Sequence, residues 1–132
     1  MTKRPSILLV EDDEAMRSLL GASLRRRGFD VVQCQDGEEL MRRLQAPDGE
    51  RSPSLIVSDL RMPGVNGFDL LHWLGQRMPD IPVILITAFG DVQTHRRAKE
   101  LGAAVVLDKP FDLEDFHAHV SAALDWEPDI SA

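Results

Sequence analysis

Leu55-Ile56-Val57-Ser58-Asp59-Leu60-Arg61-Met62-Pro63-Gly64-Val65-Asn66-Gly67 is the stretch whose reading decides the fold. An apolar run rich in β-branched residues stops at a carboxylate, and Pro63, Gly64 and Gly67 follow. The run reads as a buried strand and the Pro-Gly cluster as a loop. Asp59 therefore stands at the carboxyl end of a strand, where the chain leaves the sheet. A carboxylate held there can serve as nucleophile or metal ligand. It can equally be an ordinary loop Asp, because Asp is common in turns.

Working outward, the same grammar recurs on both sides. Ile7-Leu8-Leu9-Val10 is a short apolar run that ends in Glu11-Asp12-Asp13-Glu14, acidic residues suited to cap a helix and to its positive end. A helical pattern follows, with Ala15, Met16, Leu19, Leu20 and Leu24 expected on one face, and it closes on Arg25-Arg26-Arg27-Gly28. The Arg triplet reads as a helix C-terminus in preference to a nucleic-acid patch. Phe29 to Cys34 is a second strand, and Asp36-Gly37-Glu38-Glu39 opens a helix with Leu40, Met41 and Leu44 as its stripe. Ala46 to Pro53 is a polar loop.

Beyond the central strand, Phe68, Leu70, Leu71, Trp73 and Leu74 mark a strongly apolar helix. Val83-Ile84-Leu85-Ile86 is a fourth strand ending in Thr87-Ala88. Asp91 to Leu101 is helical but thin, with only Val92, Ala98 and Leu101 for an apolar face, so it is expected to be the most mobile helix. Ala103 to Leu107 is a fifth strand ending in Asp108-Lys109-Pro110. Asp112 then caps a last helix with Leu113, Phe116, Val120, Ala123 and Leu124 facing the core. The acidic tail from Glu127 is expected to fray.

Five strands alternating with five helices imply right-handed βαβ units. The fold class is thus α/β, a doubly wound parallel sheet covered on both faces, which fits the near-continuous apolar strands. The 132 residues suit one domain spanning 1–132, with a core of about 6–125 and tails at 1–4 and 127–132 expected to be flexible.

Composition narrows the function. A net charge of −7 is a poor match for direct nucleic-acid binding, which needs a basic face. The single cysteine, Cys34, excludes an intrachain disulfide and reads as a small residue in or beside a strand. No run reaches membrane-spanning length and no signal peptide precedes the first strand, so a soluble, cytoplasmic setting is expected. His72, His95, His117 and His119 read as surface or partly buried helix residues. His117 and His119 diverge on their helix and cannot share a metal.

In an open parallel sheet, ligands bind outside the carboxyl ends of the strands, near the point where strand order reverses. The residues expected at those ends are Glu11 and Asp12, Asp59, Thr87 and Lys109, with Gln35 and Asp36 after the second strand. Three carboxylates brought together repel one another, and a divalent cation relieves them at least cost. Oxygen ligands select Mg2+ or Mn2+ over Zn2+. A Lys can pair a phosphoryl oxygen and a Thr hydroxyl can hydrogen-bond another. Asp59 could then attack phosphorus to form an aspartyl phosphate.

These residues resemble a known family. Ile7 through Asp13, Asp59 through Gly67, Ile84 through Ala88, and Gly102-Ala103 through Lys109-Pro110-Phe111 look like the receiver domain of bacterial two-component response regulators, of the chemotaxis-regulator kind. The resemblance covers about Ile7 to Leu124. It implies a flavodoxin-like sheet of order 2-1-3-4-5. It also implies a phosphoacceptor role for Asp59 toward a histidine kinase or phosphotransfer protein. Asp12 would bind Mg2+ directly, Glu11 through water, and Arg61 through its backbone carbonyl. Thr87 and Lys109 would engage the phosphoryl group, and Lys109-Pro110 would be cis. The implied product is a signalling domain that catalyses only its own phosphorylation and dephosphorylation. Its partner would be a downstream protein or a covalently linked output domain. The face of helix four, strand five and helix five is the expected contact surface, for a partner or for a second copy.

One position departs. The family often has an aromatic residue where this chain has Val106, so the usual carrier of the switch is missing. The thin helix Asp91–Leu101 is the expected substitute. Arg61 and Phe89 flank the implied path of the attacking water and are expected to shield the acyl phosphate. Two rivals stand beside this reading. A phosphatase of the haloacid dehalogenase type needs a second Asp where Arg61 stands, and a receiver-like module without phosphorylation conflicts with the complete acidic set.

Overall fold

A computed structural model describes residues 4–45, 53–88 and 90–125. Strands and helices alternate throughout: β1 (Ser6–Val10), α1 (Glu14–Arg26), β2 (Asp30–Cys34), α2 (Gly37–Gln45), β3 (Leu55–Asp59), α3 (Gly67–Arg77), β4 (Val83–Thr87), α4 (Val92–Glu100), β5 (Val105–Asp108) and α5 (Leu113–Leu124). The strands form one parallel sheet in the order β2-β1-β3-β4-β5, as the resemblance implies. The tails at 1–3 and 126–132, most of the loop before Pro53, and Phe89 lie outside the described residues.

The central strands β3 and β4 are buried along their whole length. Strand side chains alternate between the two faces of the sheet. Ile7, Leu9, Leu55, Val57, Ile84 and Ile86 pack against Leu20 and Leu24 of α1 and Phe116 and Val120 of α5. Leu8, Val10, Ile56, Val83 and Leu85 pack against Leu40 of α2, Leu70, Leu71 and Leu74 of α3, and Ala98 of α4.

The helix starts are set by side-chain oxygens that accept from backbone N–H groups. Asp13 caps α1 through the N–H of Met16, Asn66 caps α3, Asp91 caps α4 and Asp112 caps α5. Gly28, beyond the end of α1, takes φ 96°, a conformation that favours glycine.

Two helix faces differ from expectation. Leu19 is 52 % exposed and Ala15 is exposed. The buried stripe of α1 is Leu20, Gly21, Ser23 and Leu24, and at about 100° per residue Leu19 points well away from Leu20. On α4, Val92 is 72 % exposed. It lies about 120° around the helix from Ala98, the one residue α4 buries, whereas Leu101 lies within about 60° of it. Strand limits also shift. Phe29 precedes β2, and Ala103 and Ala104 precede β5, while Asp59, Thr87 and Asp108 are still within their strands.

Candidate functional site

Strand order reverses at β1, whose neighbours are β2 and β3. The carboxyl ends of β1 and β3 are therefore adjacent, and that crevice is where an open α/β sheet binds ligands. Glu11 follows β1, its N–H donates to the Cys34 carbonyl, and it is 2 % exposed. Asp12 beside it is exposed. Asp59 is the last residue of β3 and is buried. Carboxylate oxygens of Glu11, Asp12 and Asp59 lie within 4.8 Å of one another.

The loop after Asp59 is held from several sides. The N–H of Leu60 donates to the Ile86 carbonyl at 2.7 Å, and that of Gly67 to the Leu60 carbonyl at 2.8 Å. A Cβ at Gly67 would stand 2.9 Å from the Leu60 Cα and 2.8 Å from Leu85, so the backbone approach requires glycine. Arg61 is exposed in this loop. Ser58 donates its hydroxyl to the Asp59 carbonyl at 2.9 Å.

Lys109 closes the group from the other side. Its Nζ is 3.4 Å from Glu11 Oε1 and 3.5 Å from Asp59 Oδ2. Its backbone N–H donates to the Thr87 carbonyl at 2.8 Å, and the Lys109-Pro110 bond is cis, as the resemblance implies. Thr87 is fully buried at the end of β4, in register with Asp108, so it stands between the strand of Asp59 and the strand of Lys109.

Electrostatics follows from this crowding. Burial, and next the hydrogen bond and charge of Asp59, push the Glu11 carboxyl from its ordinary 4.5 up to about 7. Burial works against the Lys109 ammonium, but the charges of Asp59 and Glu11 outweigh it and hold its pKa above the ordinary lysine value. Without a cation, burial and the neighbouring Asp59 charge favour the protonated form of Glu11. The donors are all oxygens and leave sides open to solvent. They fit a hard divalent ion that retains waters.

The structure thus gathers Glu11, Asp12, Asp59 and Lys109, with Thr87 on the intervening strand end. Val106 is not at this edge. It lies within β5 opposite Leu85, half-buried against the cluster that includes Ala98 and Leu101. Phe89, expected to shield the site, falls outside the described residues.

Two contributions were not legible beforehand. Arg17 reaches back from α1 so that its Nη1 donates to the Glu11 carbonyl at 2.7 Å, fixing the backbone that carries the carboxylates. His95 of α4 meets Asp108 of β5 with Nε2 2.8 Å from Oδ1. Neither spacing has a helical or strand period that could signal it.

Comparison with known proteins identifies the family. A family model described as the response regulator receiver domain matches residues 7–121. The DNA-binding dual master transcriptional regulator RpaA of Synechocystis is 38 % identical over 122 residues, 91 % of this chain and 49 % of that protein. The DNA-binding transcriptional regulator NtrC of Rhizobium meliloti is 38 % identical over 119 residues, 90 % of this chain and 24 % of that protein. The chain thus spans about half or less of these relatives' length. The non-phosphorylated HemR receiver domain from Leptospira biflexa superposes with a TM-score of 0.83 at 34 % identity, covering 93 % of this chain and 96 % of that one.

Proposed function

The chain belongs to the response regulator receiver domain family, a family of signalling domains, and from that footing we propose that Asp59 accepts a phosphoryl group from a histidine kinase or phosphotransfer protein. The observation that carries this is the cluster of Glu11, Asp12 and Asp59 oxygens within 4.8 Å of one another, with the Lys109 ammonium 3.5 Å from Asp59. In the proposed step an Asp59 carboxylate oxygen attacks phosphorus. The bond from phosphorus to the donor's imidazole nitrogen breaks and that nitrogen keeps the electron pair; the proton on the other ring nitrogen of the donor leaves the histidine neutral. An acyl phosphate remains on Asp59.

Asp12 and the Arg61 carbonyl would hold Mg2+ (or Mn2+) directly and Glu11 through water. The bound ion would neutralise charge on the phosphoryl oxygens. Lys109 would move from the carboxylates to a phosphoryl oxygen, and Thr87 would donate its hydroxyl to another. Most of the rate comes from positioning and charge, which suits groups preset on strand ends.

On this reading residues 1–132 are one receiver domain of the cytoplasm. Its output is a downstream protein or a linked domain, engaged through the face of α4, β5 and α5, which could also pair two copies. Among the described residues no helix is long and apolar enough to cross a membrane.

Incubation with Mg2+ and acetyl phosphate, read by intact mass, tests the proposal. The expected result is one added phosphoryl group, abolished by Asp59→Asn and by a chelator. Rapid turnover of phosphate esters, or no labelling of the unaltered chain, would overturn it.

A further inference from the structure

The loop that leaves Thr87 runs through Gly90 into α4, and a side chain from the neighbouring strand lies across it. Asp108, the last residue of β5, is in register with Thr87 and is followed by Lys109, whose N–H holds the Thr87 carbonyl. The Asp108 carboxylate lies where a Cβ of residue 90 would be, so that a Cβ there would overlap Asp108 Oδ1 and come 2.8 Å from His95 Nε2. His95, in the first half of α4, reaches the same oxygen at 2.8 Å. A carboxylate only accepts, so His95 donates from Nε2. Three parts of the molecule thus meet at one hydrogen bond: the loop after Thr87, the helix α4, and the strand end that carries Lys109. The arrangement is formed while Lys109 lies on Asp59 and Glu11, that is, with Asp59 unmodified.

We propose that the His95–Asp108 pair over Gly90 is a latch that couples Asp59 to α4. The proposal rests on the phosphoacceptor reading. Because the Asp108 carboxylate lies against Gly90, a displacement of Gly90 would disturb it and release His95. The side chains of His95 and Asp108 are 34 % and 51 % exposed, so the bond is weak enough to open in each cycle. The helix it restrains buries only Ala98 of its own residues. Val106 packs against the cluster that includes Ala98, so a shift of α4 can proceed without rotating a ring in β5.

Linkage supplies the test. A bond made only in the unmodified state opposes the modified one, and removing it favours the modified one by the same factor. His95→Ala should tighten binding of Mg2+–beryllofluoride, an aspartyl-phosphate mimic, by about two- to fivefold. It should also speed hydrogen exchange of α4 amides in the free protein. Gly90→Ala should do the same by evicting Asp108, although it removes no polar group. His95→Gln keeps a donor of similar reach and should stay near the unaltered affinity. Arg96→Gln, an exposed charge change on the same helix, should have no effect. Equal mimic affinity in His95→Ala, Gly90→Ala and the unaltered chain, with α4 exchange unchanged, would overturn the latch and leave the phosphoacceptor reading intact. Failure of the unaltered chain to bind the mimic would overturn both.

Discussion

At the carboxyl edge of the sheet Glu11, Asp59 and Thr87 are buried, at or just beyond the ends of strands packed from both faces. Just beyond Thr87, α4 buries only Ala98 and exposes Val92 by 72 %. The edge costs burial of charge, offset by Lys109 and by backbone hydrogen bonds, and so it needs a rigid frame. The helix holds on by its C-terminal half, where Ala103 N–H returns to the Ala98 carbonyl at 2.9 Å, and by exposed side-chain contacts at His95 and Lys99. Chemistry that depends on sub-ångström placement sits where the molecule resists change. A readout that must be driven by one small group sits where it does not.

Four experiments would break or sharpen that contrast. The largest effect is expected in the frame. Phe116 is fully buried beneath β3 and β4, and Phe116→Ala should cost about 3–5 kcal/mol in urea unfolding. A loss below about 1 kcal/mol would mean that the frame is not what holds the edge. Next, Lys109→Ala should slow phosphoryl uptake from acetyl phosphate by about 10²–10³-fold, measured by mass under single-turnover conditions. An unchanged rate would remove Lys109 from the site.

The third is a pH dependence. Burial raises the Glu11 pKa from 4.5 in the unfolded chain to about 7 in the fold, so the folded state holds the proton more tightly. Its stabilisation is full below 4.5 and is lost as pH rises through about 7. Metal-free protein should therefore lose stability across that window, and Glu11→Gln should flatten the curve. Equal curves for the two proteins would show that the carboxyl is not held as the geometry requires. The smallest effect is expected on α4, where Val92→Ala should change stability by no more than about 0.5 kcal/mol. A cost of 2 kcal/mol or more, on the order of a buried side chain, would show that α4 is anchored like the frame.

Much of this was legible in the chain itself. The β-branched runs ending at Val10, Asp59 and Thr87 mark strands buried on both faces, because no polar alternation interrupts them. The acidic residues Asp13 and Asp112 mark helix starts, because a short side-chain oxygen satisfies the first free N–H groups. From that alternation follow the parallel sheet and the gathering of Glu11, Asp12, Asp59, Thr87 and Lys109 at one edge. Leu19 and Val92 were misplaced because apolar identity alone does not give the angle at which a helix meets the sheet.

Local sequence determined which residues form strands, caps and turns, since those depend on interactions a few residues long. It also determined which strand ends carry charge. Only the tertiary structure decided that Arg17 grips the Glu11 carbonyl, that Glu11 holds a proton to about 7, and that His95 meets Asp108 over Gly90. Each depends on distance and desolvation between segments that no sequence period links, and those quantities exist only once the sheet has brought the segments together.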